Sequence, residues 1–164
     1  MYKKIAHGGI AAALSVILLA LSVYLPTGKA AALFLASTLS YVMCFIADKK
    51  TAVVMYLASS VLGFIISPAG ALTIITTYII CFGNYPIFKT TLDTKPLAIS
   101  VFLKLLLYIL YCVAVYLVFT FITKITLPYS PWVLLAAGVP VFAFYDFLLS
   151  YTGKYLAYQL SKRF

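Results

Sequence analysis

Acidic residues are nearly missing from this sequence. Its 164 residues hold three aspartates, Asp48, Asp93 and Asp146, and no glutamate. Histidine and tryptophan occur once each. General acid–base catalysis needs titratable groups converging on a substrate, and here almost none are available. No Ser/His/Asp set, paired carboxylates or phosphate-binding glycine loop is visible. The chain is therefore read as not an enzyme, with no cofactor. Cysteine is scarce too: Cys44, Cys81 and Cys112 lie singly inside apolar runs, without Cys-x-x-Cys spacing. They read as small buried hydrophobes, and no metal site is expected.

Charge of either sign is thin. Charged residues make up 9% of the chain, where a soluble domain carries about 25%, and 65% of the residues are hydrophobic. Mean hydropathy is +1.12. A soluble fold of this length could not hide so much apolar surface from water, so lipid is the natural solvent. The net charge of +9 would point to nucleic acid in a soluble protein. Here the basic residues stand singly or in pairs between apolar runs, so nucleic acid is excluded as a partner and membrane lipid takes its place.

A spanning helix needs about 20 apolar residues. Six segments meet or approach that length, at about residues 9–25, 30–47, 51–66, 70–88, 96–123 and 131–152. The expected fold is an all-α, six-helix transmembrane bundle forming one domain over residues 1–164. Lys3 and Lys4 precede an apolar run longer than a signal-peptide core, so the first segment is read as a retained helix. No charge falls between Thr51 and Phe88. That stretch is too long for one crossing, and Pro68 and Gly70 supply a turn in its middle. Two helices joined by a hairpin is the economical reading, with a re-entrant pair as the alternative.

Orientation follows from lysine and arginine in the short loops. One side collects Lys3, Lys4, Lys49, Lys50, Lys89, Lys95, Lys154, Lys162 and Arg163; the other collects Lys29 and Lys124. Nine against two places the first set, and both termini, in the cytoplasm.

Two ionisable residues lie inside expected spans, Lys104 and Asp146. An isolated charge in hydrocarbon is costly, so each should have a partner or face water. Lys104 sits about 12 Å in from its cytoplasmic end and Asp146 about 8 Å in from its own. The similar depth predicts a Lys104–Asp146 ion pair, acting either as a static interhelical lock or as a coupling element. In Phe82-Gly83-Asn84-Tyr85-Pro86, the proline removes a helical donor, so Asn84 and Pro86 mark an expected helix break. Pro140, two residues after Gly138, should bend the last helix. Tyr108 and Tyr111 fall on nearly the same face as Lys104 and could hold a flat ligand, although packing roles are commoner for such residues. Small residues spaced by four in the first helix, Gly9/Ala13 and Ala11/Ser15, would let another helix approach closely. That helix could belong to a partner or to this bundle.

The size, the six helices, the cytoplasmic termini and the small-residue first helix together give a resemblance. So does the character of the Gly83–Lys89 and Phe144-Tyr145-Asp146-Phe147 stretches. The chain resembles the S components, the substrate-binding membrane subunits, of energy-coupling factor transporters. The Ala-x-x-x-Ala spacing common in that family's first helix is met here only by Ala32 and Ala36, in the second. The resemblance implies a subunit of a vitamin or small-molecule importer in the bacterial cytoplasmic membrane. Its partners would be a membrane coupling subunit, ATPase subunits and a small-molecule ligand. It also implies an outer ligand pocket, for which Tyr24, Lys29, Tyr129 and Trp132 are rim candidates. The residues alone leave open a non-transporting membrane scaffold or cell-envelope protein of the rod-shape type.

Overall fold

The computed structural model describes residues 2–68, 71–122 and 131–161. Every regular element among them is helical: α1 (Tyr2–Tyr24), α2 (Lys29–Ile46), α3 (Lys49–Ile66), α4 (Leu72–Thr77), a π-helical turn (Tyr78–Phe82), α5 (Tyr85–Leu92), α6 (Leu97–Leu117) with a second π-helical turn (Val118–Ile122), and α7 (Pro131–Ser161). Among the described residues, five helices are long and apolar enough to cross a membrane: Ile5–Tyr24, Lys29–Ile46, Lys49–Ile66, Leu97–Thr120 and Leu135–Leu156. The described residues are all-helical in their regular elements, with several apolar helices of the length a multi-pass membrane protein needs.

Local chemistry sets the helix ends. Gly28 adopts φ 82° ahead of α2, a left-handed conformation that glycine takes without strain. The Asp48 side chain caps α3, its Oδ1 accepting from the Thr51 amide at 2.7 Å, as N-cap aspartates do. Hydroxyls inside the helices bond backward to the carbonyls of their own turns. Ser22 donates to Leu19 O at 2.7 Å, Ser37 to Phe34 O at 2.7 Å and Thr38 to Phe34 O at 2.9 Å. In hydrocarbon a polar group needs an internal partner, and these donors find one without leaving their own helix.

α2 is the centre of the bundle and packs against α1, α3, α5 and α7. Half of its most apolar stretch is buried, against 6% of those of α6 and α7. One core cluster joins Leu19, Leu33, Ala36, Ile75 and Tyr78; a second joins Ala11, Met43, Ala52 and Met55; a third joins Tyr41, Tyr85 and Leu149. Close approach of α7 to α2 depends on Gly153, where a Cβ would fall 2.1 Å from Tyr41 Cδ1. The small residues of α1 divide between two faces. Ala11 and Ser15 are buried inside the bundle, while Gly9 and Ala13 are exposed. Ala36, the second member of the Ala32/Ala36 spacing, belongs to the core as well.

The fourth segment departs most from a regular helix. Residues 71–92 fold as α4, the π-helical turn, a Gly83-Asn84 turn and α5. Pro86 falls in the first turn of α5, where its missing N–H costs nothing. The Asn84 carbonyl accepts from the amides of Ile87 and Phe88 at 3.0 and 3.2 Å. The Tyr56 hydroxyl donates to Ile79 O at 2.7 Å, bracing the π-helical turn from α3. The last helix, by contrast, runs unbroken through Pro140 and continues to Ser161.

Candidate functional site

After the π-helical turn, α5 begins at Tyr85 with Pro86 in its first turn. From that point Tyr85, Lys89 and Asp93 recur every four residues and share one face of α5 and its C-terminal cap. That face meets Asp146 on α7 and Lys104 on α6. The Lys89 ammonium donates to Asp146 Oδ1, which also accepts from the Tyr85 hydroxyl. Lys104 Nζ lies 3.1 Å from Asp146 Oδ2 and 2.6 Å from Asp93 Oδ1. Lys89 Nζ lies 3.6 Å from Asp93 Oδ2. Two ammonium groups and two carboxylates form a closed, neutral quartet, with Tyr85 as a fifth member. Lys89 is fully enclosed, whereas Lys104 retains 15%, Asp146 22% and Asp93 26% of its side-chain exposure. Mutual pairing is what makes charges tolerable at such depth.

A cavity of about 610 Å³ adjoins the quartet. Thr77, Cys81, Phe82 and Tyr85 of the fourth segment line one wall; Tyr108, Tyr111, Cys112, Tyr116 and Phe119 line the α6 side; Leu135, Gly138, Val141, Phe142 and Tyr145 line the α7 side. Its volume falls within the range of small-molecule sites, about 300–1,000 Å³. Tyr85 belongs to both features, with its ring in the cavity wall and its hydroxyl on Asp146. The ring packs edge-on against Phe142, centroids 5.0 Å apart at 69°, and against Tyr111. Tyr111 donates to Asn84 Oδ1 at 2.7 Å, tying α6 to the helix break. Tyr108 donates to Leu135 O at 2.9 Å. Gly138 makes that reach possible, since a Cβ there would lie 2.0 Å from the Tyr108 hydroxyl oxygen.

Of the residues singled out in the sequence, Lys104 and Asp146 meet in the quartet, and Tyr108 and Tyr111 line the cavity. Asn84 and Pro86 sit at the break that starts α5. Tyr24 and Trp132 are exposed, at 70% and 78%, and with Lys29 they lie outside the cavity lining; Tyr129 lies outside the described residues. Trp132 stands one turn from Leu135, which does line it. Sequence reasoning missed Tyr85, Lys89 and Asp93. The available signal was their spacing by four, beginning next to Pro86.

Comparison of the chain with protein-family models, with curated proteins and with solved structures gave no match.

Proposed function

We propose that the protein is the substrate-binding membrane subunit of a small-molecule importer of the energy-coupling factor type. In this reading it is a six-helix subunit of the bacterial cytoplasmic membrane with both termini inside. A membrane coupling subunit and ATPase subunits supply the energy. The observation that carries the proposal is the aromatic cavity adjoining the neutral quartet, with Tyr85 shared between them. The cavity lies on the parts of α6 and α7 nearer the Lys29 end of the bundle. With the termini inside, it occupies the outer half of the membrane, and the quartet separates it from the cytoplasm. A capture subunit needs that arrangement: a solute site on the outer side and a barrier beneath it. Two of the three aspartates are paired in the barrier, which fits binding better than catalysis.

The test is purification of the full chain from its native host in a mild detergent. The expected result is copurification of a membrane coupling subunit and ATPase subunits, with one small molecule identified by mass spectrometry after extraction. Recovery of the chain with neither would overturn the proposal.

A further inference from the structure

The chemistry of the cavity wall restricts what it can hold. Among the described residues, its lining contains no lysine, arginine, histidine, aspartate or glutamate. The nearest carboxylate, Asp146, is saturated by two ammonium groups and the Tyr85 hydroxyl. An ionised guest would lose its hydration here and meet no opposite charge, which is strongly unfavourable. Most of the lining hydroxyls have their protons committed; Tyr145 is the exception, its buried hydroxyl having no hydrogen-bond partner, so it can donate to a guest. Tyr85 donates to Asp146, Tyr108 to Leu135 O, Tyr111 to Asn84 Oδ1 and Thr77 to Thr73 O. These four lining hydroxyls therefore offer lone pairs to a guest rather than protons. The rest of the wall is largely apolar, with the rings of Tyr85, Tyr111 and Phe142 set edge to face, an arrangement that accepts a further flat ring. Val113 and Val141 in the lining are 48% and 68% exposed and lie within the long apolar helices, so the cavity opens toward the lipid-facing surface of α6 and α7.

We infer that the cavity takes an uncharged, flat, predominantly apolar molecule that carries a neutral hydrogen-bonding group. The inference rests on the reading of the cavity as a capture site and narrows its ligand. Anthracene probes test it, because they share one ring system and differ in a single substituent. The full chain in lipid nanodiscs is titrated with 1-aminoanthracene, and energy transfer from Trp132, the single tryptophan, is followed against empty discs. The neutral amine should give saturable transfer at one site per chain. 9-Methylanthracene, which lacks the hydrogen-bonding group, should bind about fivefold to tenfold more weakly. 9-Anthracenecarboxylate and an anthracene bearing a quaternary ammonium should show only the non-saturable signal of lipid partition. Val141→Trp extends an indole over the cavity from an exposed position, and its own fluorescence would confuse energy transfer. Val141→Phe is therefore used beside it in a competition format, and both should weaken 1-aminoanthracene at least tenfold while leaving thermal unfolding cooperative. Equal affinity for the methyl compound overturns the requirement for a hydrogen-bonding group. Saturable binding of a charged probe overturns the ligand class but leaves the capture reading standing. No saturable binding of any probe overturns the inferred ligand class, while the capture reading stands or falls on the copurification.

Discussion

Lys89 carries the greatest burden in the charge quartet, because its ammonium is wholly enclosed and Asp146 is its closest partner. Asp146→Asn would leave that ammonium with Asp93 alone, at 3.6 Å. Stranding one member of a buried pair costs about 3–5 kcal/mol, and a loss of that size is expected in equilibrium unfolding from mixed micelles. Lys104→Met should cost less, since Lys104 is partly exposed and Asp146 keeps Lys89. The double variant Lys89→Met, Asp146→Leu should recover much of the stability lost by Asp146→Asn, because apolar replacements leave no orphaned charge. Additive losses from Lys89→Met and Asp146→Leu would argue that the two do not act as a pair. Glycines give a second contrast. Gly153→Ala must displace the Tyr41 ring and should destabilise by about 1–3 kcal/mol. At Gly9 a Cβ meets nothing within 4 Å, so Gly9→Ala should be neutral, or stabilising by up to about 1 kcal/mol. Thermal unfolding of the two variants side by side checks both. Lys104 and Asp146 were legible in the sequence because a charge inside an apolar run must find a partner or water wherever the fold puts it. Lys89 and Asp93 were not, because charges at the end of a helix are ordinary until its phase is known.

At the scale of elements, the fourth segment sets the geometry of both the quartet and the cavity. It turns Tyr85 toward α7 where α5 begins after the π-helical turn. Tyr56 braces that turn from α3 through its bond to Ile79 O. Tyr56→Phe keeps the ring and deletes the donor, so it should cost about 0.5–1.5 kcal/mol. Hydrogen exchange should rise across residues 78–83 more than in α2 or α3. Uniform exchange across the three segments would mean that the hydroxyl does not hold the turn. The break was visible in the sequence as Gly83, Asn84 and Pro86, since each weakens a helix by a local mechanism. The cavity was not visible. Helical spacing shows which residues share a face, and so grouped Tyr108 and Tyr111 with Lys104. It does not give the separation of α6 from α7, which long-range packing fixes. Expectations about the rim therefore fell on the residues flanking the loops, while the wall lies deeper, on Tyr111, Phe142 and Tyr145.

Over the whole molecule, the number of crossings turns on residues 71–92. Among the described residues five uninterrupted helices are long enough to span, and five crossings would put the two ends on opposite sides of the membrane. Lys154, Lys162 and Arg163 would then face away from Lys3 and Lys4, against the rule that short basic segments stay inside. The interrupted segment can resolve that conflict. Its 22 residues, taken at about 1.5 Å each, reach about 33 Å, enough for a hydrocarbon core of about 30 Å. The π-helical turn and the Gly83-Asn84 turn are tolerable at that depth because other helices cover them, as buried Tyr78 and Tyr85 show. Six crossings are therefore expected, and the loops on either side of the interrupted segment decide the matter. A cysteine placed at Ser67 in a background lacking Cys44, Cys81 and Cys112 should react with an impermeant maleimide in intact cells. One placed at Thr94 should react only after the membrane is opened. Labelling of both from the same side would make residues 71–92 re-entrant and place the C-terminal end of α7 outside the cell.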